Sequence, residues 1–574
     1  MRTERNRIEE EKQEIKNRRK RGAAIAALIV ALLIGGGIFG GRWFMNNMMH
    51  TDAYAAGRSN TVPVWKMDTE EGEKESADGL KKAGRLTRGT LLKKYRRSFK
   101  KDGVTYVRTE TEGDEELYVR AGNLSDTLEG CVKETEVYVR TPATIYKNAE
   151  GPEIASFAPK GTCLKVTGHD KLLDNGYINK YKVEYTKGKK TREGFVYGKY
   201  MAGTEKAALK HYNKHGEYDK AKGDTFRFEL YGGKAANLDF FPYEKTKIKG
   251  NKFCRYARAM YINTEAAVHP KEYVKLIKET DCNAVVIDIK DGPLTYESPV
   301  AKKISPYSYD RAYATMDEMK AGVQAYKDTG VYLIGRIVVF NDKRYAVDHP
   351  EDCIKYKGST SWPSGYSRDV WEYNVKLAQE AVREFGFNEI QFDYVRFPES
   401  SYDMSSSGKA KFRNKYDEEK GQAIQNFCFY AADQLREVGA YMSIDVFGES
   451  AYSYMTAYGQ YWAGIANIAD AISAMPYTDH FSADRAWERP YDSMYNWAKF
   501  AAEQQDMIKD PAAARTWITG YDTPYWAPSV NYNAKRLKAQ IKAIEDAGLD
   551  GGFIPWNVFS DLGKYNQYKS IWNE

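Results

Sequence analysis

Residues 386–399 read GFNEIQFDYVRFPE. An amphipathic stretch, WEYNVKLAQEAVREF (371–385), leads directly into this short apolar run, which ends in charge at Asp393 and Arg396. Helix periodicity giving way to a brief β-rich segment is the mark of an alternating α/β chain. The same alternation extends in both directions. Upstream come ARAMYIN (257–263), NAVVIDIKD (283–291) and VYLIGRIVVF (331–340). Downstream come YMSIDVFGES (441–450), DAISAMPY (470–477), RTWITGYD (515–522) and GGFIPWN (551–557). Helical stretches such as PKEYVKLIKET (270–280), AIQNFCFYAADQLREV (423–438) and NAKRLKAQIKAIEDAG (533–548) fall between them. Eight strand–helix units over residues 251–574 predict a (β/α)₈ TIM barrel. A doubly wound sheet is the alternative, disfavoured because no early GxGxxG turn or phosphate loop is present.

In such barrels chemistry gathers where strands end and loops begin. Strand ends here carry Asp288, Lys290 and Asp291, then Arg336, then Asp393 with Arg396, and then Asp445 with Glu449. The later strands add Tyr477, Asp479, His480, Asp522, Trp556 and Asn557. Charges inside apolar strands are costly to bury unless paired or functional, so this concentration predicts an active mouth. Cleaving a glycosidic bond requires one carboxylate as nucleophile or base and one carboxylic acid to protonate the leaving oxygen. Asp393 and Asp445, ending neighbouring strands, fit that pair, with Arg336 or Arg396 able to keep one of them ionised. The competing expectation is an Asp393–Arg396 ion pair closing the barrel top. Asp288, Lys290, Arg336, Arg396, Tyr477, His480, Trp556 and Asn557 are the expected substrate contacts, and Trp362, Trp371, Trp526 and Trp556 are available for sugar stacking.

The segments VVIDIKDGPLTYES, GVYLIGRIVVFNDK, GFNEIQFDYVRFPE, YMSIDVFGES and GLDGGFIPWN occur in order across nearly all of residues 255–565. Together they resemble the DUF4015 group, a glycoside hydrolase-like domain of many Firmicutes. The resemblance implies a (β/α)₈ fold related to α-amylase-like and α-galactosidase-like barrels, with the nucleophile falling on Asp393. Because related barrels take the acid from strand 5 or 6, it implies Asp445, Glu449 or Asp479 for that role. The sequence departs from the group's pattern at Met475-Pro476-Tyr477-Thr478-Asp479-His480, where substrate contacts would lie.

Ahead of the barrel, Ala23 to Gly41 is a run of 19 uncharged residues preceded by Arg18-Arg19-Lys20-Arg21. A helix of that length crosses roughly 28 Å of hydrocarbon. The positive-inside rule then leaves the tail in the cytoplasm and the rest of the chain outside it. A cleaved signal peptide is the alternative, but its apolar core is usually shorter. Two further segments look alike. One contains VPVW, GRLTRGTLLKKYRRS and TYVRTETEGDEELYVRAGNL; the other contains ATIY, FAPKGTCLKVTGHD and YKVEYTKGKKTREGFVYGKYM. Both resemble bacterial SH3-like barrels, a family often bound to cell walls. The expected organisation is a cytoplasmic tail (1–21), a transmembrane signal anchor (22–44), a spacer (45–80) and two small all-β SH3-like domains (81–130 and 131–202). A linker (203–250) and the barrel (251–574) complete it.

The 574 residues carry a formal net charge of +7, of which residues 1–21 supply nine basic against five acidic side chains. The remainder is close to neutral, so no nucleic-acid partner is expected. Six scattered cysteines without a CxxC pair suit neither a zinc site nor a disulfide scaffold. With seven histidines and no His-x-x-x-His pair in the barrel, a metal-dependent deacetylase is disfavoured, and neither metal nor cofactor is expected. His211 and His215 stand at i, i+4 in the linker without a third ligand. No GxSxG elbow appears. The expected function is a membrane-anchored, extracytoplasmic glycoside hydrolase acting on a cell-envelope or extracellular polysaccharide. Its partners would be that polysaccharide or a peptidoglycan-associated glycan, and the membrane through one helix. The alternative is a non-catalytic glycan- or wall-binding scaffold.

Overall fold

In the computed structural model the described residues are 48–68, 76–210, 231–481 and 484–573, with Met45 and Tyr212 besides. The anchor expected at 22–44 lies outside them, as do His211 and His215. Among the described residues no helix is long and apolar enough to cross a membrane.

Two seven-stranded antiparallel sheets precede the barrel. The first uses His50–Ala55, Thr61–Met67, Leu80–Thr87, Leu91–Lys101, Val104–Glu110, Glu116–Arg120 and Leu124–Ser125. The second uses Glu136–Val139, Ala143–Tyr146, Ile154–Ala158, Cys163–His169, Lys180–Lys187, Lys190–Tyr197 and Met201–Ala202. Numbered within each set, both run in the order third, second, sixth, fifth, fourth, first, seventh. The repetition seen in the sequence is therefore a repetition of topology. The spacer expected over 45–80 is not one, since its residues supply the first two strands and the start of the third. Ala55, Val62 and Val64 from those strands are buried with Leu92, Leu117 and Val119.

The chain divides into two compact units. One holds residues up to Tyr138 with Cys163–Glu184 and Tyr197–Thr204; the other holds Val139–Thr162, Tyr185–Val196 and everything from Glu205 onward. The boundary thus passes through the second sheet rather than beside it. Within the larger unit, Tyr430 Oη donates to Pro152 O (2.7 Å) and Ile154 N donates to Glu372 (2.6 Å), tying the start of one of that sheet's strands and the turn before it to barrel helices. The linker expected over 203–250 is likewise structured in part. Ala235, Leu238 and Phe240 are buried with Met455, Tyr461, Ala463 and Ile508. All six cysteines are unpaired thiols, four of them buried.

The barrel strands are Ala257–Ile262, Ala284–Lys290, Tyr332–Val338, Glu389–Asp393, Tyr441–Phe447, Ala471–Met475, the pair Ala513–Ala514 and Thr516–Thr519, and Gly552–Trp556. They are parallel and pair in sequence order, and the first closes on the eighth through Ala257↔Gly552. The seventh strand is split at Arg515. Its first half pairs with the sixth strand and its second half with the eighth, so the ring closes through that residue. Closure also demands glycine at 552, where φ is +84° and a Cβ would lie 2.2 Å from Ala257 O.

Strand periodicity sends alternate residues inward. Ala257, Ala259 and Tyr261 of the first strand, Ala284 and Val286 of the second, and Tyr332 and Ile334 of the third share one buried cluster. Two residues further along, the second and third strands present Asp288 and Arg336, which are register partners. Apolar layers below and a charged layer above follow from one period-2 pattern. The helix Arg368–Phe385 ends at Gly386 in the left-handed region (φ 75°), which turns the chain into the fourth strand.

Beneath the charged layer, Arg515 pairs with Glu389 at 2.6 Å, both side chains fully buried, and Tyr332 Oη also donates to Glu389 (3.1 Å). Removing one partner strands the other's charge. Glu389→Gln is therefore expected to cost about 3 kcal/mol of stability, read as a lowered thermal melting midpoint.

Candidate active site

Arg336, at the centre of the barrel's C-terminal end, is almost fully buried and faces four carboxylates. One guanidinium nitrogen (Nη1) donates to Asp288 (2.7 Å) and to Asp291 (3.1 Å); the other (Nη2) donates to Asp393 (2.6 Å). Its Nε stands 3.7 Å from Asp445. Forked donation to several carboxylates is a task for arginine, whose planar group offers five fixed N–H bonds. The competing expectation of an Asp393–Arg396 pair is not what forms. Arg396 is buried instead among the rings of Phe447, Tyr394, Trp362 and Tyr458, 4.3–5.8 Å from their centroids, and donates to Glu399.

Each carboxylate has its own environment. Asp393 ends its strand, and its Oδ1 accepts the Tyr394 N–H (2.5 Å) while Oδ2 takes Arg336. Tyr394 itself lies at φ 51°, a left-handed conformation costing a non-glycine residue roughly 1–2 kcal/mol. Such strain is held where the surroundings over-determine it. Asp288 accepts the Tyr261 hydroxyl (2.5 Å), and burial pushes its carboxyl up to about 6 despite the opposing charge of Arg336. Asp445 is fully buried. Its Oδ1 accepts Gln391 Nε2 (2.7 Å) and Trp517 Nε1 (2.9 Å). Burial, and then the charge on Asp393, hold its carboxyl well above the usual range.

Glu449 and Asp479 lie apart from this cluster. Glu449 is exposed and accepts the hydroxyls of Tyr454 (3.0 Å) and Tyr458 (2.8 Å). Asp479 accepts the Tyr521 hydroxyl (2.7 Å). Tyr477 is buried, with its ring 5.8 Å from that of Tyr521, and burial holds its hydroxyl well above the usual range. His480 is exposed beside it. Trp556, half-buried, lies 5.6 Å beneath the Arg336 guanidinium and packs on Tyr261 and Trp517.

Three expected contacts are placed elsewhere. Lys290 is buried on Asp342 (2.6 Å) and Asn374 (2.8 Å), because the register shifts between Asp288 and Lys290 and re-aims the side chain. Asn557 braces a turn, bonding Asp561 through both its amide nitrogen and its oxygen. Trp371 is wholly buried and donates to Gly365 O, so it offers no sugar-facing surface. Asp522, also at a strand end, is tied to Lys564 (2.6 Å).

The sequence reading missed Tyr261, Gln391 and Trp517. Gln391 was within reach of it, since two residues before Asp393 on a strand means the same face. Tyr261 and Trp517 reach their aspartates from other strands, with no local signal.

No curated protein matches the chain. Among solved structures, a hypothetical protein from Ruminiclostridium thermocellum ATCC 27405 aligns at 30% identity and a TM-score of 0.27, covering 33% of this chain and 97% of that one. The PgaB (BpsB) glycoside hydrolase domain from Bordetella bronchiseptica aligns at 10% identity and 0.40, covering 55% and 99%. A GH18 chitinase from Pseudoalteromonas aurantia aligns at 12% identity and 0.32, covering 55% and 98%. Over residues 258–561, just over half its length, the chain matches the family model DUF4015, "Putative glycosyl hydrolase domain", and it belongs to that family.

Proposed function

We propose that the protein hydrolyses O-glycosidic bonds in a cell-envelope or extracellular polysaccharide, with Asp393 as the nucleophilic or basic carboxylate. The observation that carries this reading is the hold on Asp393, whose two oxygens take the Arg336 guanidinium and the Tyr394 amide at the C-terminal end of a barrel strand. Donors on both oxygens fix the orientation of the carboxyl group, which a nucleophile or base requires. The exposed Glu449 and the partly exposed Asp479 are the remaining candidates for the proton donor. The test is release of reducing ends from wall and glucan preparations by the purified full-length chain, beside Asp393→Asn. Activity in the wild type that collapses in the folded variant supports the reading. Silence of the wild type on every preparation sinks it.

The near-complete burial of Asp393 (3% exposed) and Asp445 (0%) favours a second reading, a glycan-binding scaffold whose charged layer is structural. It expects Asp393→Asn to bind purified wall as the wild type does, with no hydrolysis by either.

We also propose that residues 22–44 anchor the protein, with all that follows outside the cytoplasm. The apolar run and the basic residues ahead of it support this. Protease added to intact protoplasts should digest the chain beyond the anchor; protection until lysis would count against it.

Beyond the seventh strand, Trp526 is 45% exposed and stacks on Trp487 at 4.7 Å, which is pinned by its bond to Pro528 O (3.0 Å). A backed, exposed ring suits the apolar face of a pyranose. Trp526→Ala should weaken polysaccharide binding by about tenfold, the worth of one aromatic contact, without lowering the melting midpoint. Affinity electrophoresis of this variant beside the wild type in polysaccharide-loaded gels measures the binding.

A further inference from the structure

Asp445 sits differently from the other carboxylates around Arg336. Both hydrogen bonds it receives, from Gln391 and Trp517, fall on Oδ1. Its Oδ2, equally buried, has no hydrogen-bond partner. The donor facing Oδ2 is Arg336 Nε, itself without a partner, and at 3.7 Å it is beyond hydrogen-bond reach. An ionised carboxylate shares its charge over two equivalent oxygens and draws donors to both. One oxygen taking every donor while the other takes none is the pattern of a neutral acid, with C=O at Oδ1 and O–H at Oδ2. Ser443 is two residues earlier on the same strand, Ser473 is the register partner of Asp445, and the Oγ atoms of both are buried without a partner.

Charge balance leads to the same place. Arg336 already serves Asp288, Asp291 and Asp393, so a fourth ionised carboxylate at complete burial would be uncompensated. The other charged or titratable groups around Asp445 are Arg515 from the seventh strand and Tyr477 beyond the sixth. Arg515 is committed to Glu389.

We propose that Asp445 carries a proton in the native protein and serves Asp393 as a neutral positioning residue, not as a second catalytic carboxylate. Its service to Asp393 rests on the hydrolase reading; the proton itself does not. Asp445 fills its two N–H acceptor positions through one oxygen, keeps negative charge away from the far side of Arg336, and leaves that guanidinium to bond Asp393.

Infrared spectroscopy of the full-length chain at pH 8, above the range where Asp288 titrates, tests the proton directly. The wild-type-minus-Asp445→Asn difference spectrum should contain the carbonyl stretch of a protonated carboxylic acid. Its absence overturns the proposal whether or not the protein hydrolyses any glycan. The pH dependence of stability gives a second readout that needs no activity. A carboxyl raised in the folded state keeps a proton that the unfolded chain releases, so its contribution is full below the unfolded value near 4 and falls as pH rises toward the folded value. Wild type should therefore lose melting temperature from pH 5 to 8 relative to Asp445→Asn; parallel curves overturn the proposal. Where activity is present, Asp445→Asn should retain it within about tenfold, since asparagine keeps an oxygen for both donors. A loss as deep as that of Asp393→Asn overturns the positioning role.

Discussion

Arg336→Met melts well below the wild type, or fails to fold at neutral pH. In the native protein this side chain is 3% exposed and bonds Asp288, Asp291 and Asp393 at 2.6–3.1 Å. Methionine fills much of the volume but leaves Asp288 and Asp393 buried against each other without a counter-charge. Removing one partner of a buried ionic group costs about 3–5 kcal/mol. At roughly 2–4 °C per kcal/mol for a domain of this class, the midpoint should fall by about 10 °C. The loss should shrink on acidification, because protonated carboxyls no longer repel. Without Arg336 the folded-state value of Asp288, already pushed up to about 6 by burial, rises further above the unfolded one, so stability increases as pH falls. A thermal melt series from pH 8 to pH 5 on both proteins measures this. Equal midpoints at pH 8 would show that the four carboxylates do not depend on the arginine. Arg336→Lys should restore only part of the loss, since one ammonium cannot reproduce the fork to three partners.

Asp393→Asn has the opposite profile, with the fold kept and the chemistry lost. Asparagine retains an oxygen for Arg336 Nη2, and the guanidinium keeps Asp288 and Asp291, so the melting midpoint should stay close to wild type. Hydrolysis should fall by at least about 10³-fold, or about 4 kcal/mol of transition-state stabilisation, because the amide neither attacks carbon nor activates water. Reducing-end release normalised to folded protein provides the measurement. A variant with more than a tenth of wild-type activity would remove Asp393 from the mechanism. Because one variant is expected to change stability and the other activity, the pair separates the structural and chemical demands on a single ion cluster.

Much of this was legible along the chain. The barrel followed from eight apolar runs alternating with amphipathic stretches, because period 2 and period 3.6 are local properties of strand and helix. The charged mouth followed from charges at strand ends, where Asp288, Arg336, Asp393 and Asp445 come together. The duplication ahead of the barrel was visible as repeated turns and Tyr-rich strands, and the two sheets share one strand order. Other assignments depended on information no local pattern holds. Lys290 has the parity of Asp288, but a register shift between them turns it onto Asp342. Residues 50–55 lie in the stretch expected to be a spacer, yet they become a strand because the rest of the sheet provides a ladder partner.

By itself the sequence determined the elements, their order, the family, and which aspartates end barrel strands, since each of these is written in spacing and residue type. Only the tertiary structure decided which charge meets which. That choice selected Arg336 over Arg396 for Asp393, caged Arg396 in aromatic rings, and assigned both donors of Asp445 to one oxygen. The physical reason is that ion pairing and burial depend on distances across the barrel, between strands tens of residues apart, and those distances exist only once the ring is closed.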